Sequence, residues 1–585
     1  MSRTRSYLCA YMGENIIKGD AIMKKLFWIT ALAMIIVCMA VFVGCKATNE
    51  GSTDTTSDTS VETLTEDPAV DATEVFEGVT EATGDFTIET ADGAYSQAGS
   101  VYTLTAAGTY TLSGSLTGQI FVDAGEDDEV EIVLNGVTMT YGSDSPIKVV
   151  SADKVEISAK KDTQNVIKDT RTAKTVDSET QGEGAISADC DLKLKGNGVL
   201  VVEAAYNNGV HTTKDLTVKN LSLKVTAVNN ALKGKDSLTV ESGTLVLIST
   251  KGDGIKTEDT DLSSKGKQRG TVTIADGSVT IYAAGDGVQA SYNFEMTGGS
   301  LTVYTGSYSS YTASGASTTS YKGVKAGNEL KIADGTIKIY SYDDGLHADY
   351  GTTLENGNKS LGNITISGGS VTIGVYSPAK STAMGRTMKG GWSNQQSVSG
   401  SDAIHADNTL TVSGGTINID SAYEGLEATH VLIQGGTTTV YATDDGVNAA
   451  KKASNSPTIV VSGGTLDVTV PSGDTDGIDS NGTYTQTGGV VITRGPGSAS
   501  GGQGGGAWAL DTDGGITLKG GTLIVFGGIE GTPSVTGMTK TLCSSSTVSA
   551  GSHTVTVGSN SYPVELKYSS SGCVVYSDGG SATLK

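Results

Sequence analysis

Carboxylates recur at one corner of a repeating unit, and their spacing is the feature of this sequence best suited to chemistry. Immediately before a glycine or alanine stand Asp253, Asp286, Lys322, Asp344, Asp402, Glu424, Asp445 and Asp476. Two residues beyond that small residue stand Lys256, Gln289, Lys325, His347, His405, Glu427, Asn448 and Asp479, and Asp343, Asp349, Asp407, Asp444 and Asp474 adjoin them. Stacked at a strand spacing of ~4.8 Å, like charges repel by about 1 kcal/mol per neighbouring pair in water and by several-fold more near a protein surface. From Asp402 to Asp479 neither column contains Lys or Arg, so the row calls for divalent cations. Clustered carboxylates beside backbone carbonyls suit calcium rather than zinc. The expected ligands are Asp343, Asp344, Asp402, Glu424, Glu427, Asp444, Asp445, Asp474, Asp476 and Asp479. The plainer use of Asp-Gly is turn chemistry, in which Asp caps the corner and Gly takes a positive φ. His347 and His405 fall at equivalent places in DDGLHAD and SDAIHAD, beside carboxylates, where a polar ladder competes with a ligand role.

The elements that must hold these columns are short strands. Gly415 returns as Gly436 and Gly425 as Gly446, a repeat of 21 residues. Within each repeat, Thr-Ile-Asn-Ile and Thr-Thr-Thr-Val alternate at the strand period of two, and Gly-Gly and Asp-Gly mark the corners. No 3.6-residue apolar period is present, which excludes a helical solenoid. The spacing predicts an all-β parallel β-helix of ~22 residues per coil. The apolar residue after each corner (Ile255, Val288, Val324, Leu346, Ile404, Leu426, Val447, Ile478) is expected to point inward and stack. Intervals longer than ~22 residues require insertions, at 259–269, 305–318, 349–361, 378–400, 450–457 and 496–505. Those at 305–318, 378–400 and 496–505 precede the Asp-Gly strand and so leave from one corner, building one wall.

Composition bounds the function classes. A net charge of −24 opposes nucleic-acid or anionic-lipid binding, since no basic patch can release phosphate counterions. Residues 1–22 read as an upstream extension. Residues 23–45 read as a lipoprotein signal peptide, with Lys24 and Lys25 before an apolar run that ends at Cys45, the expected lipid anchor on an exported, cell-surface protein. An uncleaved membrane span is the alternative. Residues 46–85, rich in Ser, Thr, Asp and Glu, form a disordered linker. The β-helix is placed at 86–535, with an N-terminal cap in its first coils, and a C-terminal β cap at 536–585. Cysteines are too few for a disulfide framework; Cys543 and Cys573 are the pair that could bridge.

The runs GTYTLSGSLTGQIFVDA, VEIVLNGVTM and SPIKVVSADKVEISAKKDTQNVI, followed by repeated D-G-[IV] and G-G-[ST] coils, resemble a family of secreted, mostly clostridial carbohydrate-binding proteins. The resemblance covers roughly residues 100–530. It implies a right-handed parallel β-helix, shaped like a polysaccharide lyase, that binds calcium, cellulose and acidic polysaccharides such as polygalacturonate. On that reading Tyr308, Tyr376, Arg386, Trp392 and Trp508 on the wall contact sugar, and His347 and His405 donate hydrogen bonds to it. The bias toward tyrosine, 23 residues against 7 Phe and 3 Trp, suits rings with a wet edge. Two alternatives remain open. One is a calcium-dependent lyase using Lys325, Lys322 or Arg386 as base; the other is a structural adhesin. A monomer is expected.

Overall fold

A computed structural model describes residues 74–173, 181–306, 320–375, 400–473, 475–499 and 507–585, which lie in one compact unit, Glu66–Lys585. The described residues are β-strands and turns, apart from a single 3₁₀ turn at Glu74–Phe76. Through the body of the chain, strands of successive coils pair in parallel, which is the signature of a β-solenoid. Three rows result. The first stacks Val288–Ala290, Val324–Ala326, Leu346–Ala348, the start of Ile404–Val412, the start of Leu426–Ile433, Val447–Ala449 and Ile478–Ser480. The second continues through Glu329–Ile332, Asn363–Ile366, the end of Ile404–Val412, the end of Leu426–Ile433, Thr458–Val461 and Thr483–Gln486. The third runs through Thr336–Ser341, Ser370–Val375, Thr416–Ser421, Thr437–Tyr441, Thr465–Thr469 and Val490–Arg494.

Alternation at period two sends every second residue of each strand inward. Val324, Leu346, Ile404, Leu426, Val447 and Ile478 stack in register and are fully buried, so the expected ladder is the core of the first row. Register leaves little freedom, because a one-residue slip would turn this ladder outward and bury its polar neighbours.

Among the described strands, antiparallel pairing is found at the two ends and in one excursion, Tyr350–Thr353 with Lys359–Leu361. Near the N-terminal end, Thr87–Glu89 pairs with Gly108–Thr117 and Tyr95–Ala98 with Val101–Leu104. Near the C-terminal end, Cys573–Ser577 lies antiparallel to Thr522–Phe526 and Thr539–Ser544, beside a three-stranded sheet of Gly551–Val557, Asn560–Leu566 and Ala582–Leu584. Such strands occupy open solenoid edges that would otherwise template aggregation. Cys543 and Cys573 sit on this antiparallel pair as neighbouring thiols, and both are free.

Candidate functional site

The corner acids form a hydrogen-bonded ladder along the solenoid. Asp253 Oδ1 accepts from the amide of Asp286 (2.9 Å), Asp286 Oδ1 from that of Lys322 (2.7 Å), Asp344 Oδ1 from that of Asp402 (2.8 Å) and Asp445 Oδ1 from that of Asp476 (2.9 Å). Each Asp therefore caps the coil that follows rather than its own turn. The adjoining glycines have a different role from the one expected. Corner glycines Gly254, Gly287, Gly323, Gly345, Gly425, Gly446 and Gly477 are not positive-φ residues. They are small because a Cβ at Gly425 would lie 2.2 Å from Val440 Cγ1 and 2.4 Å from the Gly446 carbonyl oxygen. Positive φ belongs instead to the second glycine of the coil Gly-Gly pairs, such as Gly415 (80°) and Gly436 (74°).

One oxygen of each of these four acids is thus committed to backbone, and Oδ2 of Asp253 and of Asp344 faces the outward column, at Lys256 and His347. In the coils of His347 and His405 that second oxygen meets imidazole. His347 Nδ1 lies 2.8 Å from Asp344 Oδ2 and its Nε2 2.9 Å from Asp349 Oδ1. One coil on, His405 Nδ1 lies 2.7 Å from Asp402 Oδ2 and its Nε2 3.2 Å from Asp407 Oδ1. The rings stack with centroids 4.7 Å apart. Burial alone would lower the His405 pKa, but hydrogen bonds to Asp402, Asp407 and Glu427 outweigh it and raise it to about 12. Both histidines are enclosed by carboxylates, not turned to solvent as sugar donors would be.

Lysines neutralise part of this row. Lys322 Nζ bridges Asp343 and Asp344 at 2.9 Å each, and Lys325 Nζ lies 3.1 Å from Asp349. Burial opposes the charge on Lys322, yet Asp344 and Asp343 hold its pKa above the ordinary lysine value. Lys452 Nζ, from the insertion at 450–457, reaches Glu427 Oε2 at 2.7 Å and His405 Nε2 at 2.9 Å. From Asp402 to Asp479 the columns themselves carry no Lys or Arg, but a loop supplies a lysine. Sequence reading missed it because a contact made by a loop leaves no periodic signal.

Farther along, a second set of acids converges, and Asn448 Nδ2 donates to Glu424 Oε2 at 3.1 Å. Ligand atoms of Glu424, Asp444 and Asp445 lie within 4.8 Å of one another. No Lys or Arg among the described residues forms a salt bridge with Glu424 or Asp445. Burial, then Asp402, Glu427 and Asp445, raise the Glu424 pKa well above the usual carboxylate range. Burial and Asp444 push Asp445 up to about 8, and burial with Asp513 pushes Asp479 to about 6. Asp476 Oδ1 accepts from the amide of Trp508. The arrangement can neutralise its charge by holding protons or a hard cation.

Beyond these columns, Asp511 is raised to about 8 by burial and by a hydrogen bond shared with Glu530. A pKa raised on folding contributes stability that is complete below the unfolded value near 3.9 and is lost as pH rises through about 8. Asp511→Asn is therefore expected to flatten the fall in melting temperature between about pH 5 and pH 9. Equal slopes for the two proteins would remove the pair from that role.

Several expected sugar contacts, Tyr308, Tyr376, Arg386 and Trp392, lie outside the described residues, as do Asp474 and Cys45. Trp508 is buried, its ring packed on the backbones of Gly497 and Gly528. Arg494 is buried too, and its Nη1 pairs with Asp467 Oδ1. Tyr282, Tyr304 and Tyr340 stack on one another at 5.1 and 5.2 Å along the third row. A second group of insertions emerged that sequence reading did not connect. The loop at 259–269 and the hairpin of Tyr350–Thr353 and Lys359–Leu361 meet across coils, with the Thr260 amide donating to Glu355 Oε2 (2.8 Å) and Asn356 Nδ2 to Gln268 (3.1 Å). The same hairpin donates the Tyr350 amide to Asp407 Oδ2 at 2.9 Å, fixing the acid behind His405.

A carbohydrate-binding domain-containing protein from Acetivibrio thermocellus is 37% identical over 126 residues, covering 21% of this chain and 44% of the relative. The match thus spans less than half the length of that relative. A solved structure, the polysaccharide lyase-like protein from C. thermocellum in its gadolinium derivative, aligns with 31% identity and a TM-score of 0.38 over 43% of this chain and 94% of its own. The family model of carbohydrate-binding domain-containing proteins matches residues 98–375, 358–446 and 396–567, most of the solenoid and the strands after it, so the chain belongs to that family.

Proposed function

We propose that this protein is a lipid-anchored, cell-surface binder of plant-type polysaccharides, cellulose or acidic pectic polymers, and that calcium organises its binding face. The observation that carries the reading is the convergence of Glu424, Asp444 and Asp445 with no lysine or arginine on Glu424 or Asp445. Three half-buried carboxylates fit a hard divalent cation, which replaces the protons they would otherwise retain. Asp476 and Asp479 extend the same face by one coil. A bound calcium with open coordination positions can bridge to uronate carboxylates, which lets an acidic polymer dock on an acidic protein. Tyr308, Tyr376, Trp392 and Arg386, which the sequence assigns to sugar contact, complete the proposed binding set. Binding is favoured over cleavage because Lys322 is held charged between Asp343 and Asp344, and a protonated lysine cannot accept a substrate proton.

Calcium is expected to raise the melting temperature by several degrees, since a hundredfold excess over Kd adds about 2.7 kcal/mol. Glu424→Gln with Asp445→Asn should abolish that rise and the calcium-dependent retention of protein on polygalacturonate. Retention that survives both the double substitution and chelation would place sugar binding elsewhere. Identical melts with calcium and with chelator would sink the calcium assignment.

A further inference from the structure

The two histidine coils share an arrangement that the calcium reading does not use. Asp344-x-x-His347-x-Asp349 and Asp402-x-x-His405-x-Asp407 each place one carboxylate at Nδ1 and a second at Nε2. Around His405 a third acid converges, because Glu427 Oε2 lies 2.8 Å from the same Nδ1 that Asp402 Oδ2 approaches at 2.7 Å. One N–H cannot be shared fully by two carboxylates, whereas one metal ion can bind both oxygens and the nitrogen. The atoms of Asp402, His405 and Glu427 lie within 4.8 Å of one another, and so do those of Asp344, His347 and His405. Asp407 on the far ring nitrogen fits the carboxylate–histidine–metal relay that fixes a ligating imidazole, and the Tyr350 amide holds Asp407 in turn.

We propose that Asp402 Oδ2, His405 Nδ1 and Glu427 Oε2 bind one borderline divalent cation of the zinc class. Imidazole with carboxylates selects zinc-class ions over calcium, so this site is chemically distinct from the all-carboxylate cluster at Glu424. Lys452 competes with the cation. Its ammonium contacts Glu427 Oε2 and His405 Nε2, but it stands on an insertion loop with a partly exposed side chain and can swing into solvent when the metal enters. Lys322 on Asp344 leaves the His405 trio untouched.

The test uses the whole chain purified in detergent without a histidine tag, stripped by chelator and titrated calorimetrically with zinc, and separately with cobalt(II) as a spectroscopic probe. One zinc-competable cobalt site with the visible absorption of nitrogen–oxygen coordination is expected, and excess calcium should not displace it. His405→Gln should abolish the site. Asp407→Asn should weaken it by about 10- to 100-fold while leaving the fold intact, as loss of an outer partner does. Lys452→Met should tighten it several-fold. Zinc binding that is absent in the parent protein, unchanged in His405→Gln, or displaced by calcium at similar concentration overturns the proposal. Because Glu424→Gln with Asp445→Asn should leave cobalt spectra unchanged, failure of the calcium reading and failure of this one are separable.

Discussion

Arg171→Met is expected to destabilise the protein by about 3–5 kcal/mol, the range for removing one partner of a buried ion pair. The side chains of Arg171 and Asp169 are both fully buried. Arg171 Nε donates to Asp169 Oδ1 and Oδ2 at 2.9 and 3.0 Å, and Nη2 to Asp169 Oδ2 at 2.5 Å. Its remaining donors reach the Gly182 carbonyl (2.9 Å), the Gly184 carbonyl (3.1 Å) and Asp144 Oδ1 (3.2 Å), while the Tyr206 ring lies 5.0 Å away. One guanidinium thus ties the strand Gln164–Asp169 to the start of the strand Gly184–Ala188. Methionine fills much of the volume but leaves the Asp169 carboxylate without its counter-charge. Denaturant unfolding followed by circular dichroism measures the cost. Adding Asp169→Asn to the variant should recover part of the loss, because the two sites are in direct contact and not additive. A loss below about 1 kcal/mol would show that water or a shifted backbone takes over the arginine's role.

Leu426→Ala is expected to cost about 2–5 kcal/mol and to weaken the response to calcium as well. Leu426 is fully buried in the first-row ladder between Ile404 and Val447. Glu424 stands two residues before it and Glu427 one after, and the inward leucine pins both to the outer face. A cavity under it frees that stretch, so carboxylates set within 4.8 Å of their partners lose their fixed spacing. The conservative Leu426→Ile should cost less than 1.5 kcal/mol and keep the calcium shift. Equal calcium shifts in the alanine variant and the parent would show that the Glu424 cluster is held by its corner backbone alone.

The strand ladder was legible in the sequence because burial in a solenoid imposes one inward residue per strand at the same place in every coil. Ile404, Leu426, Val447 and Ile478 could be aligned by eye for that reason, and register followed from the alignment. The corner acids were legible on the same ground, since Asp344, Asp402, Glu424 and Asp445 keep a constant offset from that ladder.

What the acids contact was not legible. Whether a carboxylate in the row meets a cation depends on loops that obey no period: Lys452 arrives from the insertion at 450–457, and Tyr350 from a hairpin that steadies Asp407. The role of the corner glycines was likewise hidden. A glycine kept for lack of space under Val440 and a glycine kept for positive φ look identical in sequence, and only the packed neighbours tell Gly425 from Gly436. Repetition along one axis is a local property that the sequence by itself determined here. Charge pairing between coils and their insertions acts across space and was decided by the tertiary structure, because the energy of a buried carboxylate depends on whichever charges stand within a few ångströms of it.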